Sequence, residues 1–292
     1  VWGHAIGGMG AITQAMAAAA RSMGAAIETN TTVRRVIVEN KQAVGVELDS
    51  GREVRARVVA ANVNPSLLYN RMLDAGHLPE EFARRMRHYR NGSGTFRMNV
   101  ALAELPRFTC LQRQPRGSQD HLTGGIVIAP TMAYLDRANR DASARGWSRE
   151  PVVEMLIPST VDDSLAPPGQ HVASLFCQQF DPDVDWDQHR ETAADLIIQQ
   201  VEKFAPGFEQ SILGRQVLSP LDLERRFGLT RGDIMHGHLS IDQMFSARPV
   251  LGHGDYRAPV KGLYMCGAGT HPGGGVTGAP GHNAAREILR DL

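Results

Sequence analysis

The chain has 292 residues, 42% of them hydrophobic, and its 31 basic and 31 acidic side chains cancel. This composition indicates a globular protein of one large domain or two lobes. The balanced charge argues against a nucleic-acid partner. No apolar run approaches the roughly 20 residues of a membrane helix, so the sequence gives no indication of membrane association.

The first elements are a helix and a group of strands. Residues 11–23 pattern as a helix that Gly24 ends. Three runs rich in Val and Ile follow, separated by turn residues, at 33–39, 43–49 and 53–57. This spacing predicts a three-stranded antiparallel meander, with a further apolar strand over residues 57–61.

The rest of the chain alternates less regularly. Helices are predicted over residues 79–90 and 188–204, and strands over 95–103, 125–129, 152–157, 171–179 and 211–218. Because these strands do not alternate with helices, we expect a largely antiparallel sheet with helices on one side within residues 67–249. A short strand at 262–266 and a helix ending near Asp291 complete a mixed α/β (α+β) pattern.

Three cysteines, Cys110, Cys177 and Cys266, are far apart and form no CxxC pair. An odd number in this arrangement is typical of a reducing compartment rather than of a disulfide framework. We therefore predict a cytoplasmic protein in which all three thiols are free and buried.

Between the last strand and the last helix lies CGAGTHPGGGVTGAPGHNAA, in which seven of twenty residues are glycine. A P-loop is excluded because no Lys follows a glycine there. Gly273, Gly275 and Gly278 match GxGxxG, but the 14 residues after Gly278 are too few for a dinucleotide-binding unit. We predict that this bare backbone contacts a ligand, and that the N-terminus of the last helix favours an anion. A purely structural turn is the alternative.

Two histidines are candidates for acid–base chemistry. His271 lies inside the glycine-rich stretch, and His236 precedes it; a free imidazole titrates near neutral pH. His236 and His238 could face one metal ion, but the spacing sets no third ligand, and we expect no metal. Residues 181–187, DPDVDWD, begin like a calcium loop, but Trp186 stands where that loop requires glycine, so we expect this segment to cap the following helix.

Three segments together resemble the phytoene-desaturase-like FAD-dependent oxidoreductases, the group of carotenoid desaturases and isomerases. They span residues 7–65, residues 225–249 (RRFGLTRGDIMHGHLSIDQMFSARP) and residues 262–289 (GLYMCGAGTHPGGGVTGAPGHNAAREIL). The second is similar to the branch named pyridine nucleotide-disulfide oxidoreductase domain-containing protein 2. The resemblance implies the C-terminal part of an amine-oxidase-like fold, with residues 1–66 and 250–292 in a flavin-binding lobe and 67–249 in a substrate-binding lobe.

The resemblance also implies site residues. In that family the loop after the last core strand packs its backbone against the ribityl chain and pyrophosphate of FAD. Val33 would give a backbone contact to adenine, and the turn Gly7-Gly8-Met9 would border the substrate. The implied activity is hydride transfer between FAD and a small apolar, polyene-like or lipid-like substrate. The implied loop contacts come from Gly267, Ala268, Gly269, Thr270, His271, Pro272, Gly273, Gly274, Gly275 and Val276.

Family members begin with a strand, a GxGxxG turn, a helix and a strand ending in an acidic residue. This unit is not among the 292 residues, which also begin without Met. We therefore expect a fragment or split subunit that binds FAD weakly or not at all by itself, with self-association or a disordered terminus near Val1. The alternative is a non-catalytic module that binds a partner chain or a lipid without flavin.

Overall fold

The computed structural model describes residues 3–111 and 120–292; the expectation for Val1 lies outside them. The helices are α1 (Gly10–Ser22), α2 (Pro65–Leu67), α3 (Glu80–Arg87), α4 (Met132–Arg145), α5 (Trp186–Glu202), α6 (Phe208–Ser211), α7 (Pro220–Phe227) and α8 (Ala279–Asp291). The strands are β1 (Val33–Glu39), β2 (Gln42–Leu48), β3 (Glu53–Arg55), β4 (Val59–Ala61), β5 (Thr95–Leu102), β6 (Ile126–Ile128), β7 (Trp147–Leu156), β8 (His171–Phe180), β9 (Ile212–Leu218) and β10 (Leu263–Met265).

Two compact units make up the chain. The first comprises Val1–Ile27 and Gly94–Asp222, and the second comprises Glu28–Ser93 and Leu223–Leu292. The predicted lobes divide the chain after residues 66 and 249, whereas the two units divide it after residues 27, 93 and 222. Helix α3 explains part of the difference, because its Phe82 and Met86 are buried in the same core as Leu263 of β10. The assignment of one lobe to flavin and the other to substrate stays a prediction.

A five-stranded sheet forms the centre of the first unit, in the order β6-β7-β8-β5-β9. Every neighbouring pair is antiparallel, which confirms the predicted antiparallel sheet. Alternate residues, such as Met98 in β5 and Leu175 in β8, are buried together with Ile197 of α5, as expected for strands with one face against a helix. The Asp185 side chain accepts a hydrogen bond from the Gln188 N–H at 3.3 Å, which confirms that this segment caps α5.

The second unit contains the meander and a parallel strand pair. Strands β1, β2 and β3 pair antiparallel in sequence order, as predicted. Strand β4 pairs parallel with β10, with Val59 opposite Leu263. The chain segment after the meander and the segment before the glycine-rich stretch are therefore neighbours.

Two features differ from the sequence-based expectations. Helices α4 and α7 were not predicted, although Thr131 caps α4 by accepting a hydrogen bond from the Tyr134 N–H. Cys177 is buried in β8 as expected and Cys266 is partly buried, but Cys110 is exposed. Cys110 lies in a short turn rather than on the buried face of a strand, which leaves its side chain exposed among the described residues. None of the helices in residues 3–111 and 120–292 is both long and apolar enough to cross a membrane.

Candidate functional site

The glycine loop, residues 266–278, runs from the end of β10 to the start of α8. The Cys266 N–H donates to the Ala61 carbonyl at 3.0 Å, so the loop begins as a continuation of the parallel pairing. Thr270 is buried, and both its N–H and its hydroxyl donate to the Gly267 carbonyl, at 3.0 and 2.8 Å. The Gly273 N–H then donates to the Thr270 carbonyl at 2.7 Å. The first half of the loop is therefore a closed turn held by its own hydrogen bonds.

Contacts inside the protein account for several of the glycines. A Cβ atom at Gly267 would lie 1.9 Å from the Asn62 side-chain oxygen, and one at Gly269 would lie 2.6 Å from the Pro65 ring. A Cβ atom at Gly274 would lie 2.9 Å from the sulfur of Met235. Glycine at 269 avoids overlap with a proline ring, and glycine at 267 and 274 leaves room for side chains that lie against the backbone. The number of glycines is thus not by itself evidence for a ligand.

The second half of the loop exposes hydrogen-bond donors. The backbone N–H groups of residues 274–278 have no hydrogen-bond partner among the described residues. Gly273, Gly275 and Gly278 have φ of +98°, +137° and +68°, conformations that favour glycine. Gly278 is the N-cap of α8 and supplies no capping side chain. Consecutive free N–H groups before a helix N-terminus suit an anionic or carbonyl-rich ligand, so this half of the loop fits the polar part of FAD.

Two buried charged side chains hold the segment beside the loop. Asp233 and Arg248 are 0% and 2% exposed. The Asp233 carboxylate accepts from the N–H groups of Met235 and Gly237, at 2.8 and 3.0 Å. The Arg248 guanidinium donates to the carbonyls of the same two residues. We call this arrangement, Asp233 and Arg248 around residues 235–237, the peptide clamp.

The peptide clamp reaches the glycine loop at two points. The Arg248 Nε donates to the Ala268 carbonyl at 2.9 Å, which connects the guanidinium to the closed turn. Met235, held by the clamp on both its backbone groups, lies against Gly274 at the start of the open half. Both halves of the loop are therefore positioned by the same two buried charges.

His271 lies on the exposed surface of the loop. Its carbonyl accepts a hydrogen bond from the Tyr256 hydroxyl at 2.8 Å, and its ring centroid is 6.1 Å from that of Phe245. Within residues 3–111 and 120–292 no hydrogen bond orients the imidazole. Its role as an acid or base stays a prediction.

His236 lies inside the peptide clamp and is half-buried. Its φ is +56°, and its carbonyl accepts a hydrogen bond from the Tyr89 hydroxyl at 2.9 Å. Its Nδ1 is buried without a partner among the described residues. Burial lowers the pKa of His236, although the nearby Asp233 carboxylate acts in the opposite direction.

His238 does not extend this site into a metal centre. It is exposed, and its backbone N–H donates to the Arg90 carbonyl at 2.9 Å. In the part of the chain that the structure describes, no group of three His, Cys, Asp or Glu side chains is placed to hold a metal ion.

The other two predicted positions lie outside the loop. Val33 begins β1 opposite Leu48 and packs against the core of the second unit. The Gly7-Gly8-Met9 turn belongs to the first unit, where the buried Asp162 carboxylate accepts from the Gly7 N–H at 2.7 Å. A hydrogen bond from the Ser164 hydroxyl, followed by the one from Gly7, lowers the pKa of Asp162. The predicted contacts of Val33 and of this turn remain predictions.

The family to which the chain belongs follows from a match to a family model. The model of the family described as flavin containing amine oxidoreductase matches residues 3–289. The chain therefore belongs to that family, which confirms the predicted fold class and cofactor class.

Individual proteins refine this placement. The chain is 42% identical to pyridine nucleotide-disulfide oxidoreductase domain-containing protein 2 of Rattus norvegicus, over 100% of this chain and 52% of that protein. It is 24% identical to the phytoene desaturase (lycopene-forming) of a Paracoccus species, over 100% of this chain and 56% of that protein. An oxidoreductase from Methanosarcina mazei shares the fold, with a TM-score of 0.63, 16% identity, and coverage of 98% of this chain and 55% of that one. The predicted family and branch are confirmed, and the chain spans about half the length of the curated relatives it matches.

Sequence reasoning missed the peptide clamp. Arg248 precedes Pro249 in the segment SARP, and no spacing rule connects it to Asp233. No sequence pattern reveals the clamp, because Asp233 and Arg248 bind backbone groups, and every residue type carries these groups.

We predict that Gly269→Ala lowers the free energy of unfolding by about 1 to 3 kcal/mol, because the new Cβ would overlap the buried Pro65 ring. Urea unfolding followed by circular dichroism measures the change. Gly76→Ala is the matched control, since its Cβ would meet nothing within 4 Å. Equal stability of the two variants would contradict close packing at Gly269.

We also predict that His236 makes the protein less stable in mild acid. The folded state lowers its pKa below the ordinary value of 6.5, so the unfolded state binds the proton more readily. Stability is then lost as pH falls through 6.5 toward the folded pKa. His236→Gln should lose less stability than the parent chain between about pH 7.5 and about pH 5.5. The exposed control His238→Gln should behave like the parent, and an equal loss in all three chains would refute the prediction.

Proposed function

We propose that the protein is an FAD-dependent oxidoreductase that transfers a hydride between flavin and an apolar, polyene-like or lipid-like substrate. The observation that carries the proposal is the row of free backbone N–H groups at residues 274–278, ahead of α8, in a chain of a flavin-containing family. Such donors suit the pyrophosphate and ribityl oxygens of FAD.

The chain's own residues would bind and orient the cofactor. The open half of the loop supplies N–H donors, and the peptide clamp keeps them in place from behind. Bound FAD supplies the hydride acceptor or donor, so the protein needs to contribute binding, orientation and electrostatics rather than a nucleophile. His271 and His236 stay candidates for moving a proton near the loop.

The similarity to a phytoene desaturase supports an apolar substrate, since phytoene is what that relative is named for.

The free and exposed thiol of Cys110 supports a reducing, cytoplasmic location. The activity, the substrate and any partner are proposed for the whole protein, because the chain spans about half of its relatives.

We predict that the 292-residue chain binds FAD through the loop, but only weakly. The family's GxGxxG turn and acidic residue would add hydrogen bonds to charged or polar groups, each worth about 1.5 to 3 kcal/mol, and they are not among these residues. Quenching of flavin fluorescence should therefore give a dissociation constant above about 1 μM.

Two glycine variants test where FAD binds. Gly275→Val places a branched side chain at φ +137° in the open half of the loop and should abolish binding. Gly228→Val makes the same change at another exposed glycine of positive φ, +67°, and should bind like the parent. Equal binding by both variants would contradict the loop site, and submicromolar binding by the parent would contradict the half-site expectation. Absence of any binding would favour the alternative of a flavin-free binding module.

A further inference from the structure

The five-stranded sheet of the first unit has a second face, opposite the one that packs against α5. Residues directly opposite one another in neighbouring strands share a face. Asn99 of β5 lies opposite Ser174 of β8 and Gln216 of β9, and Arg97 lies opposite Phe176. This second face therefore carries a guanidinium among amide and hydroxyl groups. Because Gln216, Glu154 and Leu156 on it are exposed, we call it the open face.

Arg97 forms no ion pair on this face with any of the described residues. Its Nη2 donates to the Ser174 hydroxyl at 3.0 Å, and its guanidinium carbon lies 5.3 Å from the centroid of the Phe176 ring. Among the described residues no carboxylate lies within ion-pair distance of Arg97. The acidic side chain in the same row, Glu154, is exposed and two strands away, roughly 10 Å by strand spacing.

Another arginine of the same sheet provides the contrast. Arg215 of β9 is paired with both Asp195 and Glu191 of α5. Arg97 is half-buried, and this burial lowers its pKa, with Coulombic attraction from the Glu154 carboxylate opposing the effect. Partial burial of a charge is unfavourable in free energy unless the charge is paired. Binding of an anion would therefore stabilise the Arg97 guanidinium.

We propose that Arg97 binds the carboxylate of an apolar organic acid on the open face of this sheet. A single guanidinium with neutral hydroxyl and amide neighbours matches a monoanion such as a carboxylate. The hydrocarbon part would lie along Phe176 and the exposed Leu156, which the strand register places on the same face. Val127 is not part of this track, because Glu154 separates it from Phe176. This assignment rests on the proposed function. It narrows the lipid-like substrate class of that function to fatty carboxylates.

Binding of palmitate to the purified chain without FAD tests the proposal by isothermal titration calorimetry. We expect saturable binding that weakens at least about tenfold in Arg97→Gln, the loss expected for a charge-assisted hydrogen bond. Methyl palmitate, which lacks the charge, should bind the parent at least about tenfold more weakly than palmitate does. The control Arg215→Gln should bind palmitate like the parent, because Arg215 is on the helix-facing side with its own acidic partners.

Each contrary result would overturn the assignment: no saturable palmitate binding, equal affinity for the methyl ester, tighter binding of hexadecyl phosphate, or an unchanged affinity in Arg97→Gln. Circular dichroism checks folding, and if Arg97→Gln does not fold, Arg97→Lys replaces it. Lysine keeps the charge but lacks the planar fork, and it should also weaken palmitate binding. The palmitate titration contains no FAD, so it tests the Arg97 site separately from the proposed function. If palmitate binding depends on Arg97 but the chain fails to bind FAD, only the proposed function is overturned.

Discussion

The glycine loop depends on two buried charges that hold opposite backbone groups of one short segment. The Asp233 carboxylate accepts hydrogen bonds from the N–H groups of Met235 and Gly237, and the Arg248 guanidinium donates to the carbonyls of the same residues. Burying a charge is unfavourable unless hydrogen bonds replace its hydration. Here the replacement comes from main-chain groups, so the bonds that compensate the charges also define the path of the backbone.

Arginine suits this position better than lysine would. Its planar guanidinium presents several N–H donors in fixed directions. One donor reaches Ala268 in the closed turn, another reaches Gln243, and the rest reach the clamped segment. Removing the side chain would leave these carbonyls without their donors, and each unsatisfied buried group costs about 1 to 3 kcal/mol.

The two halves of the loop have different physical roles. The closed turn around Thr270 satisfies its own backbone groups and meets Asn62 and Pro65 too closely for any residue but glycine. The open half keeps its donors free and adjoins α8. The closed turn and the N-cap Gly278 thus fix both ends of the open half, which limits the entropic cost of ordering it around a ligand.

Much of the fold could be predicted because hydrophobic alternation and turn residues are local signals. The meander follows from the turns at Asn40 and Gly51, and the terminal strand and helix follow from their apolar patterns. Helix α4 could not be found this way, since it buries only Tyr134, Ala138 and Ala142, a stripe with little hydrophobic contrast. The loop was recognisable from its glycines and its family resemblance, whereas the peptide clamp uses backbone partners that leave no mark in the sequence.

Hydrogen–deuterium exchange of Arg248→Met tests the dependence of the loop on the clamp most directly. The amides of Thr270 and Gly273 are the informative probes, because both are protected by hydrogen bonds within the closed turn. This dependence predicts exchange at least about tenfold faster at these two amides and unchanged exchange in the meander. The control Arg84→Met, whose side chain pairs with Glu81 on the surface, should exchange like the parent. Unchanged protection of Thr270 and Gly273 in a folded Arg248→Met chain would contradict this dependence, since the loop would then hold its shape without the buried guanidinium.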